Sequence, residues 1–216
     1  MMPIFAVARH RMVELDLIAR GIRDPGVLAA MERVPREEFV APELAPRAYD
    51  DHPLPIGDGQ TISQPYIVAL MIEALSLRAE DRVLEVGTGC GYAAAVLAQI
   101  AARVYSIELR PLLAEAARMR LERLGYRNIR VRCGDGTLGW PKRAPFDAIV
   151  VAAAGPAVPH ELRAQLVVGG RLVMPVETRH GQELVRITRT ARDEYRHEEL
   201  GAVAFVPLVS EQGSSA

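Results

Sequence analysis

Two regimes of apolar patterning divide the chain. From residue 81 to 209, short runs of consecutive apolar residues alternate with longer stretches of helical spacing. The runs at 82–86, 104–107 (ending in Glu108), 129–131, 148–151, 171–176, 184–188 and 203–206 predict strands. Between them, an Ala-rich stretch from Gly91 to about Ala101, a stretch opened by Pro111 and ended by Gly125, and one near 161–166 predict helices, and Gly169-Gly170 predicts a turn. Continuous apolar runs mark strands buried on both faces, and their alternation with helices implies right-handed crossovers in a mostly parallel sheet. The last two runs have no helix between them, which predicts an antiparallel edge.

Residues 1–76 read differently. Asp24-Pro25 has the form of an N-cap followed by proline at the first helical position. Val27, Leu28, Met31 and Val34 then repeat at helical spacing. Prolines punctuate 35–55, where regular structure is not expected. Gly57-Asp58-Gly59-Gln60 reads as a turn, and a helix is expected to begin near Ser63. The expected architecture is α/β: a doubly wound, mostly parallel, Rossmann-like sheet over 77–210, a helical appendage over 1–76, an antiparallel C-terminal edge, and a flexible tail at 211–216.

Composition narrows the function classes. For 216 residues, area scaling gives burial of roughly 70% of the unfolded surface, enough for a core without staples. The formal net charge of −1 lacks the basic excess of nucleic-acid-binding domains, and Lys142 is the only lysine among arginines. Cys90 and Cys133 form no disulfide framework or metal-ligand spacing, which suggests a reducing, cytoplasmic setting. No apolar run is long enough for a membrane span. Cys133 is expected in the core, Trp140 as a packing anchor, His52 as a loop histidine, and the arginines of 118–132 on a solvated face with acidic partners.

The chemistry concentrates where the first parallel strand ends. Gly87-x-Gly89-x-Gly91 follows that strand, where ligands of open α/β sheets bind. Its glycine spacing departs from the dinucleotide fingerprint G-x-G-x-x-G. Glu108, with Leu109 beside it at the end of the second strand, is placed to accept hydrogen bonds from ribose hydroxyls. Asp135, after the third strand, is placed to meet an adenine edge. Glu85 is expected near the amino-acid end of the ligand, because a buried acid needs a partner. A nucleoside without a pyrophosphate fits this set, and S-adenosylmethionine, leaving S-adenosylhomocysteine as product, is the candidate.

These residues resemble the protein-L-isoaspartate (D-aspartate) O-methyltransferases, from about Met12 to Leu208. The resemblance runs through Val34-Pro35-Arg36-Glu37-Glu38-Phe39-Val40, Pro53-Leu54-Pro55-Ile56-Gly57, and Gly59-Gln60-Thr61-Ile62-Ser63-Gln64-Pro65-Tyr66. It continues through Val86-Gly87-Thr88-Gly89, Val104-Tyr105-Ser106-Ile107-Glu108, Gly134-Asp135-Gly136 and Gly169-Gly170-Arg171-Leu172-Val173. Many methyltransferases share the glycine loop; Thr61-Ile62-Ser63 is the specific element. The resemblance implies a monomer that methylates the α-carboxylate of isoaspartyl and D-aspartyl residues in damaged proteins and peptides, initiating repair. It implies Ser63 as the active-site serine, and Thr61, Ile62, Ser63, Gln64, Cys90, Glu108, Asp135, Gly136 and Gln182 as cofactor-lining positions. Cys90 stands where most relatives have serine.

A carboxylate is ionised at neutral pH and needs no general base. Alignment and exclusion of water are therefore the expected sources of rate. From the residues alone, Ser63 could instead cap the following helix. Other readings are an O-methyltransferase on normal Asp or a small carboxylic acid, a non-catalytic cofactor-binding module, or an NAD-dependent dehydrogenase, which the glycine spacing disfavours.

Overall fold

The computed structural model describes residues 4–210; the tail expected at 211–216 lies outside them. The described residues begin with helix α1 (Ile4–Met12), which widens into a π turn, tightens into a 3-10 turn and stops at Gly21. Asp24 caps α2 (Pro25–Arg33) as its sequence predicts, its Oδ1 accepting from the Val27 N–H at 2.9 Å. The proline-rich segment carries two short 3-10 turns. The expected turn at 57–60 is the tip of a hairpin, in which β1 (Leu54–Gly57) pairs antiparallel with β2 (Gln60–Ile62). Helix α3 (Pro65–Ala74) follows.

The main sheet has seven strands in the order β5-β4-β3-β6-β7-β8-β9. These are β3 (Arg82–Val86), β4 (Arg103–Glu108), β5 (Ile129–Cys133), β6 (Phe146–Val151), β7 (Leu166–Thr178), β8 (Gly181–Ala191) and β9 (Glu194–Val203). Pairing is parallel from β5 through β7 and antiparallel for β7–β8 and β8–β9. Helices α4 (Tyr92–Leu97), α5 (Pro111–Arg123) and α6 (His160–Ala164) complete the crossovers. The chain steps outward from β3 to β5, then returns to the other side of β3 at β6, so the switch point lies between β3 and β6.

Both sheet faces are buried, and alternate residues of each strand enter opposite cores. Val83, Val104, Ala148 and Val173 pack with α2, α3 and α4, whereas Leu84, Tyr105, Ile149 and Leu172 pack with Leu162 of α6. Trp140 anchors its loop, its ring edge-on to Tyr105 with centroids 5.6 Å apart.

Five expectations are corrected. The Gly169-Gly170 turn lies inside β7: Leu166 pairs with Phe146 and Arg171 with Ala148, so the residues between them bulge from the ladder. The final strand is β9, not 203–206; its residues are mostly polar because it is an exposed edge, leaving no apolar run to read. The α4 helix ends at Leu97, its continuation loosening into turns. Cys133 is exposed at the end of outer strand β5. Arg118 does pair with Glu115 and Glu122 on a solvated face, but Arg120 and Arg132 turn inward to the Cys90 and Gly139 carbonyls.

Candidate active site

A cavity opens at the switch point, walled on one side by the ends of β3 and β4. The Gly87 N–H donates to the Ile107 carbonyl at 2.8 Å, and the Gly91 N–H to the Thr88 carbonyl at 2.8 Å, which curls the loop over the strand ends. Gly89 sits at φ +53°, and its N–H donates to Glu108 Oε2 at 2.7 Å. The other Glu108 oxygen accepts from the Arg110 N–H at 3.1 Å. One buried carboxylate thus ties the loop to β4 and, having two lone pairs per oxygen, keeps acceptor capacity toward the cavity. Gly136 closes this wall. A Cβ there would lie 2.3 Å from Val86 Cγ1, so only glycine permits the approach.

Beneath the loop, Ser106 donates to Glu85 Oε2 and its hydroxyl meets Thr88 Oγ1 at 2.5 Å. The other Glu85 oxygen has no hydrogen-bond partner among the described residues, and burial pushes the Glu85 carboxyl up to about 8. Cys90 lines the cavity as a buried thiol, its pKa raised by burial.

The opposite wall comes from both ends of the chain. The β1–β2 hairpin contributes Gln60, Thr61 and Ile62, and an Asp58–Arg110 ion pair at 2.8 Å holds its tip against the end of β4. A C-terminal strap contributes 206–209. The Ala154 N–H donates to the Val206 carbonyl at 2.8 Å, and the Leu208 N–H to the Ala154 carbonyl at 2.6 Å. A second cavity adjoins the first. Its lining includes Arg20, Pro53, Gln64, Tyr66 and the end of β9, and the two share Thr61, Ser63, Ala152 and Val206.

The sequence matches the family described as protein-L-isoaspartate(D-aspartate) O-methyltransferase over residues 8–213. Protein-L-isoaspartate O-methyltransferase 2 of Pelobacter propionicus is 61% identical over 206 residues, covering 95% of this chain and 92% of that protein. This chain belongs to the protein-L-isoaspartate(D-aspartate) O-methyltransferase family. A Methylorubrum populi protein-L-isoaspartate O-methyltransferase is 60% identical over 208 residues, covering 96% of this chain and 98% of that one. Among solved structures, a protein-L-isoaspartate O-methyltransferase superposes with a TM-score of 0.82 at 31% identity; the match spans 92% of this chain and 65% of that one. A Plasmodium falciparum structure, described as a protein of this family in complex with S-adenosyl-L-homocysteine, gives 0.81 at 26% identity, spanning 93% and 97%.

In this methyltransferase, nine of the sequence-selected residues line the first cavity. Thr61, Ile62 and Ser63 lie on the hairpin side, and Gly87, Gly89, Cys90, Glu108, Leu109 and Gly136 on the strand side. Four do not. Glu85 shares the sheet face of Val83 and lies wholly buried, reaching the loop through Ser106 and Thr88. Asp135 turns back on its own chain, accepting from the N–H and hydroxyl of Thr137 at 2.8 and 2.7 Å. Gln64 lines only the second cavity, its amide donating to Asp51 Oδ2 at 2.6 Å. Gln182 clasps the strap, donating to the Phe205 carbonyl at 3.1 Å and accepting from its N–H at 2.6 Å.

Ser63 is not a helix cap. The helix starts at Pro65, and Gln64 occupies the cap position with no side-chain cap bond. The wall residues Thr88, Ala152 and 206–209 were not selected from sequence. Thr88 sits inside the glycine motif and could have been; the strap has no chemical signature, only a place in the fold.

Proposed function

We propose that this enzyme methylates the α-carboxylate of L-isoaspartyl and D-aspartyl residues, with Ser63 orienting that carboxylate where the two cavities meet. The carrying observation is that Ser63 lines both cavities and its hydroxyl has no hydrogen bond to another described residue. It is free to donate to an incoming carboxylate oxygen. The first cavity fits S-adenosylmethionine, since it combines a buried acid for paired hydroxyls, backbone that approaches closely at the glycines, and apolar flanks from Ile62, Ile107 and Leu109. When bound, that cofactor supplies an electrophilic methyl group on a sulfonium sulfur.

The protein's own part is positioning. Glu108 accepts from the ribose hydroxyls while holding the Gly89 N–H, Gly136 and Leu109 flank the base, and Cys90 packs beside the loop. The peptide lies in the second cavity, its isoaspartyl carboxylate reaching past Thr61 to Ser63. Closing this junction excludes water from the nucleophilic oxygen, which strengthens it as a nucleophile and needs no general base. Residues 1–76 act in this reading as an appendage that supplies the peptide side. The reading also takes the enzyme as a cytoplasmic monomer, supported by the two unpaired cysteines for the compartment and by the family resemblance for the monomer. The product ester then allows succinimide formation and repair.

The test is transfer from labelled S-adenosylmethionine to matched peptides bearing L-isoaspartate or normal L-aspartate, read as base-labile methanol. Label on the isoaspartyl peptide alone is expected. Label on the normal peptide would redirect the enzyme toward ordinary Asp acceptors.

A further inference from the structure

We propose that Arg36 is the positioning residue that fixes Ser63 for methyl transfer. The proposal rests on the orienting role given to Ser63 above. Arg36 is the largest wholly buried side chain among the described residues, at 0% exposure. Its Nε donates to the Ala48 carbonyl at 2.7 Å, and its Nη2 to the Ser63 carbonyl at 2.8 Å. Its guanidinium carbon stands 4.9 Å from the centre of the Tyr92 ring. Tyr92 opens α4 directly after the glycine loop and lines the cofactor cavity. The backbone N–H of Arg36 is itself seated on the Tyr49 hydroxyl at 3.2 Å.

This is a costly way to tie segments together. Among the described residues no carboxylate pairs with Arg36 and no group hydrogen-bonds its Nη1. Burying a cation without a counter-charge costs several kcal/mol, and an apolar side chain of similar volume would fill the space more cheaply. What an apolar residue cannot do is donate to two carbonyls on separate segments while stacking on a ring. Lysine cannot do it either, having a point charge where arginine has a planar fork. Because the bond goes to the Ser63 carbonyl, it fixes the Ser63 backbone and leaves the hydroxyl free for substrate. The same group rests on Tyr92, so the two sides of the junction share one reference point.

The experiment combines Arg36→Lys, Ser63→Ala and the double variant with Leu162→Ala as a stability control. Leu162 is fully buried in the core on the other sheet face and lines neither cavity. Turnover of an isoaspartyl peptide, binding of S-adenosyl-L-homocysteine and thermal melting are measured for each. Arg36→Lys is expected to lower kcat at least tenfold while the S-adenosyl-L-homocysteine Kd stays within threefold. Added to Ser63→Ala it is expected to cost less than a further twofold. Leu162→Ala, melting at least as early, is expected to keep wild-type kcat. Wild-type turnover by Arg36→Lys, a full tenfold cost in the Ser63→Ala background, or an equal loss in Leu162→Ala would each overturn the proposal. If Ser63→Ala alone turns over normally, the Ser63 reading fails and takes this proposal with it, a result distinct from the failure of Arg36 alone. Should the lysine variant not fold, Arg36→Gln, which retains one donor for the Ser63 carbonyl, carries the same comparison.

Discussion

The two walls of the first cavity are held by different means. The strand-side wall is continuous with the parallel sheet: Gly87 and Thr88 hang from the Ile107 carbonyl, and Glu108 grips Gly89 of the loop after β3 and Arg110 two residues further along its own chain. The facing wall comes from 60–63 and 206–209, segments outside the parallel sheet that have a few backbone bonds of their own, the strap's to Ala154 among them, and are otherwise fastened by single side chains. Arg36 holds Ser63, Gln182 holds Phe205, and the Asp58–Arg110 pair holds the hairpin tip. A ladder of backbone bonds is cooperative and rigid, whereas isolated side-chain fastenings open locally at lower cost. Cofactor affinity should therefore belong to the first wall, and access and acceptor alignment to the second.

The strongest way to break this comparison is Glu108→Ala. It leaves the Gly89 and Arg110 N–H groups without their acceptor and removes the proposed ribose contact. We expect S-adenosyl-L-homocysteine affinity to fall about 100-fold, or about 2.7 kcal/mol, measured by titration calorimetry. A change under fivefold would mean that the first wall does not set affinity.

Glu85→Gln sharpens the same wall through pH. The Glu85 carboxyl, near 4.5 when unfolded, is pushed up to about 8 by burial, so the native state holds a proton that the unfolded chain has lost between those values. Wild-type stability should therefore decline as pH rises from about 4.5 to about 8 and level off above. Glutamine carries no such proton. The variant should gain about 1–3 kcal/mol on the wild type at pH 8 and nothing at pH 4.5, seen by denaturant melts at the two pH values.

The smallest effect is expected on the facing wall. Gln182→Ala frees the Phe205 backbone and slackens the strap, at a cost of about 1 kcal/mol in stability. The KM for peptide should rise about fivefold with the S-adenosyl-L-homocysteine Kd moving less than twofold. Equal weakening of both would merge the two walls into one.

The same division explains what could be read from the sequence. Strands β3, β4 and β6 are mostly apolar because both their faces are buried, whereas edge strand β5 alternates with arginines, and glycines and an acid mark the ends of β3, β4 and β5. Glu108 and Gly136 were legible for that reason. Glu85 was assigned to the ligand, although period-two alternation puts it on the face of Val83 while Val86 reaches the cavity. Asp135 illustrates the ambiguity of a loop acid, which can satisfy itself on a neighbouring threonine. The facing wall left little trace. The polar edge strand β9 has no apolar run, and Gln182 acts on a residue 23 positions away through a hydrogen bond that no local pattern announces. Ser63 was singled out by family resemblance; its own neighbourhood suggested a helix cap.

The most direct test of the account is single-turnover methyl transfer by Ser63→Ala with saturating S-adenosylmethionine and an isoaspartyl peptide. S-adenosyl-L-homocysteine binding is measured on the same preparation. The account predicts transfer slowed at least tenfold with the Kd within threefold of wild type, since the first wall is intact and only the junction has lost its donor. Transfer at the wild-type rate, or a Kd that collapses along with it, would contradict a Ser63 that orients the acceptor between two separately held walls.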